Sequence, residues 1–260
     1  MSGGISTEAV RLTLELPLAV VAIDRPAAKN SLRLDEMTAI ADAIGEAVSA
    51  GARAVLVRGT RHAFCAGRDL KDTHPGTDDT LAILRERINP VLAAVRDCPV
   101  PTIAAVQGPA LGFGFGLALC CDMVLAEEDA LFGSPFRHIG MVPDTGAHNI
   151  LLSRTGFALA SELIYTGRLV NGTEATALRL VNRAVPTGAV AEEAQKLAQN
   201  IASGPTAAFR LSKEVLLEGG DFDSMLAHEA RQLQKVFATD DLKEGIAAFQ
   251  QRRRPAFTGR

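Results

Sequence analysis

Val10, Leu12, Leu14 and Leu16 alternate with polar neighbours, a period of two that predicts a half-buried strand. Leu18 to Ile23 is nearly all apolar, and Arg25-Pro26 ends that second strand because proline cannot continue a ladder. Met37, Ile40, Ala41, Ile44, Ala47 and Val48 recur at helical spacing and predict an amphipathic helix over 33–50. Ala54 to Val57 reads as a short buried strand broken at Gly59. Leu81, Leu84, Ile88, Val91, Leu92 and Val95 mark a second helix with a kink expected at Pro90. Thr102 to Val106 is another buried strand, followed by a glycine-rich turn, an apolar helix over Leu117 to Cys121, and a strand over Met123 to Ala126. Beyond about residue 147 the pattern is helical almost throughout, and Pro205 suits the first turn of a helix running to Leu217. Strands separated by helices imply right-handed crossovers and an α/β core, with the helical last third covering that core or reaching another subunit.

Composition narrows the class. A chain of 260 residues with 47% hydrophobic residues can bury a sizeable core without disulfides or metal. Its 27 basic groups against 30 acidic ones leave a formal charge of −3, which argues against a nucleic-acid or membrane-surface partner. No apolar run reaches the roughly 18 residues of a membrane span. Met1-Ser2-Gly3-Gly4-Ile5 lacks the basic and apolar regions of a signal peptide. The four cysteines form neither a C-x-x-C pair nor a zinc pattern, so a reducing cytoplasm and no metal are expected. Glycine stands out, at 23 residues, several of them clustered.

The clusters fall in two turns. Ala63-Phe64-Cys65-Ala66-Gly67-Arg68-Asp69-Leu70 follows the strand at 54–57, and Gly108-Pro109-Ala110-Leu111-Gly112-Phe113-Gly114-Phe115-Gly116 follows the strand at 102–106. Taken alone, each is a tight loop. Each also lies where a strand hands over to a helix, so each can present free backbone N–H groups. Two such donors aimed at one point stabilise an oxyanion, and the second would also feel the partial charge of a helix N-terminus. A dinucleotide fingerprint fails at the second turn because its glycines run G-x-G-x-G with no acid about 20 positions on. A P-loop fails for want of a Gly-Lys-Ser/Thr ending.

In this order and spacing, Arg25-Pro26 with Asn30-Ser31-Leu32, the 63–70 turn, and Thr102 to Gly114 resemble the enoyl-CoA hydratase/isomerase (crotonase) superfamily. The resemblance continues through Phe132-Gly133, Ile139-Gly140, Thr166-Gly167-Arg168 and Leu180-Val181-Asn182 to Arg252-Arg253-Arg254-Pro255-Ala256-Phe257. It implies an α/β, crotonase-like spiral of ββα units over 1–200 carrying an acyl-CoA site. A helical C-terminal region over 201–260 would serve assembly into a homotrimer or dimer of trimers. It implies an acyl-CoA thioester as substrate, with coenzyme A belonging to that substrate and no separate cofactor. By position, the oxyanion donors are the backbone N–H groups of Arg68 and Phe113. Ala66, Gly67, Asp69, Leu70, Gly112 and Phe136 then fall at the substrate, and Lys29 and Lys71 beside the adenine site.

The superfamily's hydratases use two glutamates to activate water. The matching positions here hold Gly116 and Phe136, neither of which transfers a proton. Pro135-Phe136 through Asp144-Thr145-Gly146 resembles instead the branch of Δ3-Δ2 enoyl-CoA isomerases and ring-epoxide phenylacetyl-CoA isomerases, which implies Asp144 as a single acid/base. One base suffices for a 1,3-proton shift. Apart from that resemblance, Pro-Asp-x-Gly is good turn chemistry. An aspartate nucleophile of dehalogenase type lacks its histidine, because Asn89 stands there. An atypical hydratase and a non-catalytic acyl-CoA binder are the other readings. His138 lies close enough in sequence to Asp144 to enter the pocket. Cys65 reads as a small buried residue, and Asp69 and Asp122 as hydrogen-bonding supports.

Overall fold

The computed structural model of the chain describes residues 6–7 and 9–260, so the 1–5 segment read above for targeting signals lies outside the described residues. The chain begins with β1 (Ser6–Thr7), β2 (Val10–Glu15) and β3 (Leu18–Ile23), and α1 (Leu34–Ser49) then crosses to β4 (Ala54–Gly59). A second crossover runs through α2 (Thr80–Ala82), a π-helical stretch Ile83–Ile88 and α3 (Asn89–Arg96) to β5 (Thr102–Val106). Next come β6 (Pro109–Leu111), α4 (Phe113–Cys120), β7 (Met123–Glu127) and β8 (Leu131–Gly133). The helix α5 (Ala147–Thr166), with a non-helical Gly156 inside it, precedes β9 (Val170–Asn171), α6 (Gly172–Ala177) and β10 (Arg183–Val185). Four helices finish the chain: α7 (Val190–Ala202), α8 (Thr206–Glu218), α9 (Phe222–Val236) and α10 (Asp240–Gln250).

Among the described residues seven strands form one sheet in the order β1-β2-β3-β4-β5-β7-β10, antiparallel up to β3 and parallel from there on. A small second sheet joins β6, β8 and β9. The continuous apolar runs of β3 to β5 have a direct cause, since successive side chains point to opposite faces and both faces are covered. Ala19, Val21, Val55, Val57, Ala104 and Val106 face the larger core with α1, α3 and α4. Leu18, Val20, Leu56, Ile103 and Ala105 face a smaller core closed by Val190, Ala194, Ala198 and Ala202 of α7.

The expected α/β architecture is therefore the one adopted, with local differences. Leu14 and Leu16 of the first alternating run are exposed, because only the Val10 end of β2 lies over the core. Gly59 does not break β4 but pairs with Ile23. Just before Pro90 the helix widens into a π turn: the Asn89 N–H bonds five residues back to Leu84 O. The helix expected at Leu117 starts at Phe113, and its buried glycines hide any amphipathic period. Beyond 147 the chain is not wholly helical, since β10 adds an edge strand to the main sheet. Among the described residues no helix is long and apolar enough to cross a membrane.

The C-terminal segment is tied to the core by Arg53. Its Nε donates to Thr206 Oγ1 (2.9 Å) and its Nη1 to Phe257 O (3.0 Å), and Nη2 bonds the Gly204 carbonyl. Leu216, Phe222, Phe237 and Phe249 on α8 to α10 leave large apolar side chains exposed.

Candidate active site

The two glycine-containing turns are stitched together. The Cys65 N–H donates to Pro109 O and the Leu111 N–H to Cys65 O, both at 3.0 Å, a parallel bridge between one turn and β6. The Gly112 N–H donates to Gly133 O (3.0 Å), which fixes the second turn to β8. Gly114 permits this approach: a Cβ there would lie 2.0 Å from Cys65 O. The orientation of the first turn comes from a second bridge, in which Leu32 N–H donates to Gly67 O (2.9 Å) and Asp69 N–H to Leu32 O (2.8 Å). Because consecutive N–H groups alternate along extended chain, the Arg68 N–H points away from Leu32. Phe113 opens α4, where the first N–H groups have no intrahelical acceptor. Neither N–H donates to a backbone carbonyl among the described residues.

Both turns border a cavity of about 320 Å³. Of the residues singled out from sequence, Ala66, Gly67, Arg68 and Leu70 line it from the first turn, and Gly112 and Phe113 from the second. Phe136 and Asp144 close it from the segment after β8, with the Phe136 ring over Gly112. His138 also lines it, and so does Ile88 rather than its neighbour Asn89. Lys29 and Lys71 are exposed and lie outside this lining. So does Asp69, whose carboxylate accepts from Arg25 Nη1 (2.9 Å) and from the Lys71 N–H (3.2 Å). The bond from Arg25 holds that carboxyl below the usual range. Asp122 accepts from Thr102 and Lys213 and ties β5 to α8. Cys65 is buried, and loss of water pushes its thiol up to about 12, so it is no nucleophile.

Asp144 sits in the turn before α5, half-buried, with Oδ1 cut off from water and without a hydrogen-bond partner. Burial raises its pKa, and the Arg68 charge offsets only part of that rise. Asp144 is the one carboxylate among the described residues that line the cavity. A carboxyl with raised affinity for a proton, facing a largely apolar cavity beside two free N–H donors, is equipped to take a proton and hold it. Among the described residues no group of three or more His, Cys, Asp or Glu gathers to hold a metal ion.

Thr73, Leu111, Ile139, Met141 and Thr145 also line the cavity, and sequence reasoning did not single them out. Leu111 was within reach as the residue before Gly112. Ile139 and Met141 flank a glycine, but exposed apolar residues in a loop carry no periodic signal.

The family model for enoyl-CoA hydratase/isomerase matches residues 15–260. The chain is 35% identical over 262 residues to a Rhodobacter capsulatus protein named "Probable enoyl-CoA hydratase", covering 98% of this chain and 100% of that one. It is 35% identical over 248 residues to the human mitochondrial enoyl-CoA hydratase domain-containing protein 2, covering 92% and 85% of the two chains. The crystal structure of an enoyl-CoA hydratase from Mycobacterium smegmatis superimposes with a TM-score of 0.88 at 28% identity, over 96% of this chain and 98% of the other. With the family model spanning almost the whole length and the fold shared with solved members, this chain belongs to the enoyl-CoA hydratase/isomerase family.

Proposed function

We propose that the protein is an acyl-CoA isomerase that moves a double bond from the Δ3 to the Δ2 position through a thioester enolate. The observation that carries this reading is that Asp144 is the one carboxylate lining the cavity among the described residues. The thioester oxygen accepts from the Arg68 and Phe113 N–H groups, which lowers the energy of the negative charge that develops on it. The Asp144 carboxylate removes a proton from C2 of a 3-enoyl-CoA, and the electron pair spreads over the C3–C4 bond and the thioester. The Asp144 carboxyl then returns that proton to C4, leaving the C2–C3 double bond. Proton and electrons balance within the substrate, so no co-reactant is needed.

Phe136 supports this reading in a second way, because its ring over Gly112 makes the cavity wall apolar where a hydratase would carry an acid by resemblance. Dry surroundings keep the Asp144 proton from exchanging with water between the two steps. Assembly as a trimer through the exposed apolar side chains of α8 to α10 belongs to the same reading. The names of the relatives favour a second reading, water addition to a 2-enoyl-CoA by an atypical mechanism. The deciding experiment incubates the purified protein with a 3-enoyl-CoA and follows the conjugated 2-enoyl product. Its absence, together with rapid hydration of a 2-enoyl-CoA, would overturn the isomerase reading.

A further inference from the structure

Thr145 holds a backbone conformation that its residue type resists. Its φ is 58°, in the left-handed region, where a β-branched residue is a true outlier, and it is 3% exposed. Its surroundings hold it there. The Oγ1–H donates to Asp144 O (2.7 Å), and Oγ1 also lies 3.3 Å from Gly112 O. One hydroxyl thus contacts the main chain of the acid/base residue and of the residue just before Phe113, whose N–H is the proposed oxyanion donor. Engaged with carbonyls, that hydroxyl leaves the Asp144 Oδ1 without a donor.

The other wall of the Thr145 niche is Gly116 of α4. A Cβ at 116 would lie 2.4 Å from Thr145 O, 2.6 Å from its Cβ and 2.7 Å from its Oγ1. The nearest of these is main chain and cannot swing aside. A side chain at 116 and Thr145 in its present position therefore exclude each other.

We propose that Thr145 is the positioning residue that sets Asp144 against the oxyanion turn, and that Gly116 is the vacancy that admits it. The single-carboxylate character of the site then comes from a fitted pair, in which the room for an acid at 116 is filled by the residue that holds the acid at 144. The proposal rests on the reading of Asp144 as acid/base, so its test includes a readout independent of turnover.

The test uses Thr145→Ser, Thr145→Val, Thr145→Gly, Gly116→Ala and the double variant Gly116→Ala/Thr145→Gly in the full chain. Each is measured for kcat and KM on a 3-enoyl-CoA, for Tm, and for the Asp144 carboxyl titration by carbon NMR without substrate, assigned with Asp144→Asn. The serine variant keeps the hydroxyl and is expected to stay within about threefold of wild-type kcat. The valine and glycine variants are expected to lose about tenfold to a hundredfold in kcat with little change in KM, the size of a misplacement of up to about 1 Å. Both should also shift the Asp144 titration. The glycine variant separates positioning from stability, since it relieves the left-handed strain and should keep or raise Tm while kcat falls. Gly116→Ala should lower kcat likewise, and the double variant should lose less than the two single losses together. Wild-type kcat and an unshifted Asp144 titration in the valine and glycine variants would overturn the proposal, as would a kcat loss that simply follows Tm across the series. If the wild type turns over no 3-enoyl-CoA, the isomerase reading fails. The titration then decides Thr145 alone, an unshifted value overturning its role.

Discussion

Gly114→Ala tests whether the two turns act as one device. The added Cβ would sit 2.0 Å from Cys65 O and 2.8 Å from both the carbonyl carbon and the Cβ of Cys65. Ordinary contact begins near 3.4 Å, so the turns must part by about 1.4 Å (3.4 − 2.0) unless the start of α4 shifts instead. Either movement strains the 3.0 Å bonds between Cys65 and the 109–111 segment and separates the Arg68 N–H from that of Phe113. Overpacking of this kind costs about 1–3 kcal/mol of stability, and at roughly 2–4 °C per kcal/mol for a large domain Tm should fall by several degrees. The effect on chemistry is larger in proportion. A misplacement of about 1 Å costs about 100-fold, and loss of one oxyanion donor costs about 100- to 1,000-fold, or roughly 2.7–4 kcal/mol. The assay is product absorbance from a 3-enoyl-CoA beside a thermal melt, with binding of a saturated acyl-CoA by calorimetry to confirm that the pocket still forms. A variant with wild-type Tm and kcat would refute the claim that this contact sets the oxyanion geometry.

Other expectations follow from the same structure. Asp144 acts as a base only when ionised, and burial raises its pKa, so kcat/KM should fall as pH drops through a value above the ordinary aspartate pKa. The same shift bears on stability with the opposite sense: between the ordinary and the raised pKa the folded state binds more protons than the unfolded one, so Asp144 weakens the fold as pH rises through that window. Asp144→Asn should therefore melt above wild type at neutral pH, which differential scanning calorimetry checks. Arg53→Ala removes bonds to Thr206, Gly204 and Phe257 and should cost about 2–3 kcal/mol in denaturant unfolding while leaving kcat near wild type, because Arg53 lies outside the cavity.

Some of this molecule is written plainly in the chain, and some of it depends on contacts the chain does not announce. Strands β3 to β5 and helix α1 were legible because burial on both faces, or on one stripe, leaves a periodic mark. The two- and three-residue strands of the small sheet were not, since elements that short have no period to read. Helix α4 was misplaced by four residues because Phe113-Gly114-Phe115-Gly116 reads as a loop. Those glycines are there for close approach to Cys65 and Thr145 rather than for flexibility. The resemblance brought Arg68, Phe113, Phe136 and Asp144 together, and all four line one cavity. Lys29 and Lys71, expected beside the adenine site, lie outside it. Thr145 left no signal, since its conformation runs against its residue type and its partners are main-chain oxygens 33 residues away or adjacent.

The most direct test of the account compares wild type with Asp144→Asn on a 3-enoyl-CoA, following the conjugated product, with hydration of a 2-enoyl-CoA measured alongside. The account predicts isomerisation by the wild type, little water addition, and a fall in kcat of about 100- to 10,000-fold in the variant with the acyl-CoA still bound. Full isomerase activity in Asp144→Asn, or fast hydration with no isomerisation by the wild type, would contradict it.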